Sequence, residues 1–113
     1  MAKEERHMVH PLTFNEIHLQ DGRVLVFKEP LKVPLERRHD NGIVWYASNE
    51  DLGIQSYSHD VKVVKKDIED QFGMMYLAYV ESTTSKTESA KRFTQKLKDM
   101  VSEIRVEREG MNI

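Results

Sequence analysis

Hydrophobic positions recur along residues 61–80 at the period of an α-helix. Val61, Val64, Ile68, Phe72, Met75 and Tyr79 follow one another at steps of three or four residues, which lays them along one face. Val63, Leu77 and Val80 widen that stripe, as expected for a helix packed on a sheet or shared with another subunit. Just ahead of it, Ser58 or Asp60 offers a side-chain oxygen that can accept a free N–H of the first turn. Gly73 interrupts good helix formers; it marks a bend, a close contact or only a local cost of about 1 kcal/mol.

A shorter period governs the N-terminal half. LTFNEIHLQDGRVLVF reads as two strands around Asp21-Gly22, a favoured hairpin dipeptide. Leu12 and Phe14 share one parity while Ile17 and Leu19 share the other, and a bulge would reconcile them. In LKVPLERR, Leu31, Val33 and Leu35 share a face opposite Lys32 and Glu36, and Pro34 favours an edge or an irregularity. Asp40-Asn41-Gly42 can reverse the chain into GIVWYAS. There Ile43, Trp45 and Ala47 alternate with Val44, Tyr46 and Ser48, so one face can meet a helix and the other a partner. NEDLG reads as a turn and IQSY as a short strand.

Beyond the first helix, STTSKTES is a polar connector in which Ser85 and Glu88 have the spacing of a capping box. A second helix is expected to carry Ala90, Phe93, Leu97, Met100, Val101 and Ile104 along its apolar stripe and to end near Gly110. The predicted fold is α+β: a small antiparallel or mixed sheet followed by two helices, the first packed on the sheet. The expected organisation is a flexible tail over residues 1–11, one domain over 12–108 and a C-terminal tail over 109–113.

Composition narrows the chemistry. The chain has 113 residues, enough for one ordinary domain. With 39% hydrophobic and 32% charged residues, it is expected to fold with a polar exterior. It has no cysteine, which excludes disulfides, thiolate catalysis and cysteine-based metal sites. A formal net charge of -2 argues against a broad nucleic-acid-binding surface. No apolar run is long enough to span a membrane and no signal-peptide core is visible; a cytoplasmic location and no membrane association are expected.

The candidate catalytic patterns are weak. Ser58-His59-Asp60 contains the letters of a nucleophilic triad, but adjacent residues at a helix start diverge instead of converging on a substrate. His7 and His10 have an i,i+3 spacing without a third ligand at a diagnostic distance, so no metal is assigned. No phosphate-binding loop or dinucleotide fingerprint occurs, and no cofactor is expected. Two groups remain as contact candidates. Trp45, Tyr46 and Tyr57 have the aromatic character of partner-binding residues. Lys91, Arg92, Lys96 and Lys98 on the second helix can contact phosphate or an acidic protein.

The run DNGIVWYASNEDLGIQSYSHDVKVVKKDIEDQF resembles the sheet-to-helix core of HicB-like proteins, which are often antitoxin components. The matching features are Asn41-Gly42, Trp45-Tyr46-Ala47, Glu50-Asp51-Leu52-Gly53 and His59-Asp60 before the helix, within roughly residues 31–80. The resemblance implies a small toxin partner and homo-oligomerisation. The last helix shows no clear helix-turn-helix or ribbon-helix-helix pattern. The expected function is a noncatalytic, oligomeric protein-interaction module, antitoxin-like in character. The alternatives are a nucleic-acid-binding regulator using the basic C-terminal helix, and a hydrolase whose site assembles only on folding.

Overall fold

The computed structural model describes residues 5–39 and 41–106, with side chains from His7 onward. The elements run β1 (Glu5–His18), β2 (Arg23–His39), β3 (Ile43–Asn49), β4 (Ile54–Ser58), α1 (Val61–Val80), α2 (Glu88–Met100) and β5 (Val101–Val106). The strands form a five-stranded sheet in the order β1-β2-β3-β4, with β5 pairing β2. The fold is α+β, and α1 packs on the sheet. Among the described residues no helix is long and apolar enough to cross a membrane. The expected C-terminal tail, the break at Gly110 and Asp40 of the second turn lie outside the described residues.

The chain divides into two compact units. One holds the chain up to Thr13 with Leu31–Gln71; the other holds Phe14–Pro30 and the chain from Phe72 onward. In the first, β2 and β3 pair antiparallel from Leu35↔Ala47 to His39↔Ile43, and β3 pairs β4 from Trp45↔Ser58 to Asn49↔Ile54. The β2–β3 reversal takes Asn41 to φ 57° and Gly42 to φ 113°, a conformation that asparagine tolerates and glycine adopts freely. Leu31, Val33, Leu35, Ala47, Leu52 and Ile54 are buried with Val64 and Ile68 of α1. The alternation read in β2 is therefore the inner face of this unit's core.

Asp60 caps α1. Its Oδ1 accepts the Lys62 N–H at 2.9 Å, its carbonyl accepts from Val63 and Val64, and Ser58 Oγ accepts the Asp60 N–H at 3.1 Å. Asn49 Oδ1 accepts the Leu52 N–H at 3.0 Å, and Gly53 takes φ 69° in the turn that follows.

In the second unit the Asp21-Gly22 turn joins β1 to β2, with Leu19 N–H donating to the Arg23 carbonyl at 2.8 Å. Phe14, Ile17, Leu19, Val24, Leu25 and Phe27 are buried with Phe72, Tyr76 and Leu97. Phe27 meets Phe72 edge-on, with centroids 5.0 Å apart, and Tyr79 meets Phe93 likewise at 4.9 Å. Gly73 is a close contact: a Cβ there would stand 3.1 Å from Leu19 Cδ2. The helical stripe turns slightly from its expected line, with Tyr76 buried and Met75 and Tyr79 half-buried.

Three expectations are corrected. The first strand begins at Glu5, so residues 5–11 are extended in β1 and not a tail. The cap of α2 is Thr87, whose side chain accepts the Ala90 N–H, because the helix starts at Glu88 and leaves Ser85 outside its first turn. The last helix stops at Met100. Val101 is extended (φ -103°, ψ 125°), and Val101–Val106 turn into β5 along β2. The β-branched Val101, Ile104 and Val106 suit a strand better than a helix. Leu25 pairs with Ile104 and Val26 with Glu103, leaving Ser102 as a bulge whose Oγ donates to the Val26 carbonyl at 3.1 Å.

Candidate functional site

The side of the first unit's sheet opposite Leu35, Ala47 and Ile54 carries a row of polar and aromatic side chains. Cross-strand register makes that row: Glu36 pairs with Tyr46, and Tyr46 with Tyr57. Arg38, two residues beyond Glu36 on the same face, stacks its guanidinium 4.2 Å from the Tyr46 ring centroid. Glu36 holds it there, accepting from Arg38 Nε at 2.8 Å and lying 2.6 Å from Nη2. The fork of two N–H groups on one carboxylate fixes the guanidinium plane, and the ring face attracts the cation.

At the other side of the ring, Tyr46 O–H donates to Gln55 Oε1 at 3.0 Å. Tyr46 is thus held at both its face and its hydroxyl, and it is half-buried. Tyr57 beside it is 74% exposed. A shallow depression of about 550 Å³ adjoins Tyr46, lined also by Met8, Pro34, Arg38, Ser48 and Asp51. Its walls are open and mixed in polarity. The arrangement can bind by stacking, apolar contact and hydrogen bonding; no nucleophile or acid–base pair is assembled in it.

Of the three aromatic candidates, the structure brings Tyr46 and Tyr57 together and separates Trp45. Trp45 pairs with Arg37 and Ser58 and points to the face shared with Ala47, where it is half-buried. Sequence reasoning missed Arg38 and Glu36. Their i,i+2 spacing puts them on one strand face, a signal that was present. What made them a site was the register with Tyr46.

The four cationic candidates on α2 are all exposed but do not act as one patch. Lys91 and Lys98 line a second shallow depression, of about 440 Å³, with Lys86, Ser85 and Gln95. Arg92 and Lys96 lie outside it. Lys91 is 3.5 Å from Glu88, and Lys86 Nζ donates to the Ser82 carbonyl at 3.3 Å. Lys86 was not foreseen, since it stands alone in a connector of serines and threonines.

No family model, curated protein or solved structure matches the chain. The site must therefore be read from its own chemistry.

The catalytic letters of residues 58–60 have separate tasks. Ser58 Oγ accepts from the Asp60 backbone, Asp60 caps α1, and His59 Nδ1 lies 2.8 Å from the Ile43 carbonyl. His7 and His10 sit in a strand, where an i,i+3 pair points to opposite faces; the His7 ring instead lies edge-on to His39, with centroids 6.5 Å apart. Among the described residues no three His, Asp or Glu side chains are placed to hold a metal.

The firmest electrostatic cluster is structural. Arg23 donates to Glu81 Oε1 at 2.7 Å and to Asp21 Oδ2 at 2.9 Å. The hydrogen bond from Arg23 holds the Glu81 and Asp21 carboxyls below their usual range, and Glu81 with Asp21 drives the guanidinium pKa upward.

Proposed function

We propose that the chain is a noncatalytic protein-interaction module that meets its partner through the Arg38–Tyr46–Tyr57 face. The exposed Tyr57 beside a Tyr46 already fixed by Arg38 and Gln55 carries this reading. Tyrosine and arginine are the residue types that most often dominate interface energies. A side chain ordered before binding loses little entropy on association. The resemblance in residues 31–80 adds an antitoxin-like role, with a small toxin protein as the partner.

Affinity isolation from the native host, followed by mass measurement of the intact complex, tests this. The wild-type chain is expected to retain a small protein partner that Tyr57→Ala and Arg38→Ala both lose. Retention by both variants, or no stoichiometric partner at all, would overturn the proposed face.

A second reading rests on the depression formed by Lys86, Lys91 and Lys98. These cations can contact a phosphate backbone, in keeping with a nucleic-acid-binding regulator. Binding of duplex and single-stranded probes across salt concentrations distinguishes it: a steep salt slope reduced by Lys91→Ala supports the reading. No binding at low salt removes it.

A further inference from the structure

We propose that β5 is the self-association edge of the protein, pairing antiparallel with the β5 of a second copy about a two-fold axis at Ile104. This takes up the homo-oligomer expected from the sequence and does not depend on the tyrosine face.

β1, β4 and β5 each have β2 or β3 as their neighbour on one side, and β4 and β5 differ in what covers the other. On β4, the Gln71 side chain docks on the backbone of Gln55. Its Oε1 accepts the Gln55 N–H at 3.2 Å and its Nε2 donates to the Gln55 carbonyl at 2.7 Å. A side-chain amide there occupies the donor and acceptor that a neighbouring strand would use. On β5 the described residues show pairing to β2 alone. All five residues from Ser102 to Val106 are exposed, with Ile104 at 44% and Val106 at 64%. An open strand edge with apolar side chains is a template for another strand.

The local sequence Glu103-Ile104-Arg105 determines which strand fits. When an antiparallel pair is centred on Ile104, each Ile104 faces its own copy. Each Glu103 then faces the other copy's Arg105, so both charge pairs form at once. A two-fold contact requires such self-complementarity, and opposite charges directly across a ladder favour pairing. A parallel arrangement in register would place like charges together. Ile104 pairs with the fully buried Leu25, so its copy would extend the apolar face of the second unit. Arg105 Nη2 lies 2.9 Å from Glu16 Oε1. Pairing with Glu103 of the copy would draw the Arg105 side chain away from Glu16.

The test is the oligomeric state of the full chain by sedimentation equilibrium at submillimolar concentration, with charge reversals in β5. The wild type is expected to dimerise. Glu103→Arg and Arg105→Glu alone each put like charges opposite one another and should weaken the dimer roughly ten-fold or more. The double reversal restores both pairs between the copies, though not the Arg105–Glu16 pair within each, and should bind more tightly than either single reversal. Because the chain has no cysteine, Ile104→Cys provides an independent probe. Mild oxidation should link two copies through position 104, whereas Val63→Cys on α1 should remain unlinked. A strictly monomeric wild type overturns the proposal. So does a dimer indifferent to both single reversals, which would place the contact elsewhere. Tyr57→Ala should leave the dimer intact, so failure of the tyrosine face and failure of the β5 edge are separately visible.

Discussion

β4 and β5 each end a run of strand pairing, yet they are stabilised in opposite ways. In β4, buried Ile54 and Ser56 alternate with exposed Gln55 and Tyr57, and Gln71 takes up the Gln55 backbone donor and acceptor. In β5, no residue is fully buried, and the strand is held by pairing to β2 and by the Ser102 and Arg105 side chains. A strand with its own buried face depends on the core beneath it. A strand without one depends on its neighbours.

The largest expected difference is in core truncation. Ile54→Ala should destabilise the protein by about 2–5 kcal/mol, because it empties a filled site. Ile104→Ala should cost the monomer under about 1 kcal/mol, since nearly half of that side chain already meets water. Urea denaturation of dilute protein measures both, and equal losses would break the contrast.

Opening the closed edge sharpens it. Gln71→Ala is expected to cost about 1 kcal/mol, the net value of ordinary hydrogen bonds near solvent. It should also speed hydrogen exchange at the Gln55 amide while leaving Arg105 unchanged. Unaltered exchange at Gln55 would show that Gln71 does not guard β4.

The smallest effect concerns the Arg23 cluster, where Arg23 pairs with Val106 at the end of β5. Glu81 and Asp21 have folded-state pKa values below their ordinary 4.5 and 3.8. Their contribution is therefore present at neutral pH and is lost as pH falls through the acidic range below those values. The melting temperature should hold from neutrality to about pH 5 and decline below it. Glu81→Gln should flatten part of that decline, while changing neutral stability by no more than about 1 kcal/mol. An unchanged acid profile would remove Glu81 from the cause.

Legibility in the sequence followed the same contrast. The α1 stripe and the Leu31–Leu35 alternation were readable because each repeats a single period over a buried face. β5 was not, because Leu97, Val101 and Ile104 continue a helical spacing while Ile104 and Val106 begin an alternating one. In so short a segment the choice was made by pairing with Leu25, more than 70 positions away, as the 76-residue span of the Ser102–Val26 bond also shows. The same limit applied to the site. Trp45 and Tyr46 had to face opposite ways, but only the Leu35↔Ala47 register fixed Tyr46 as the outer one and brought Arg38 onto it. The Gln71–Gln55 bond had no local signal.

The Ser102–Val26 separation also orders events in time. The β4–β3 contacts close loops of a few residues, so they can form while later chain is still being made. Residues 23–27 of β2 must wait for β5, which follows both helices in the chain. Contacts so distant along the chain are slow to find. During synthesis, that stretch of β2, with Leu25 at its centre, stays unpaired on the β5 side until Val101–Val106 have emerged. The strand whose described residues pair with β2 alone is thus the one that closes an open edge in the nascent chain.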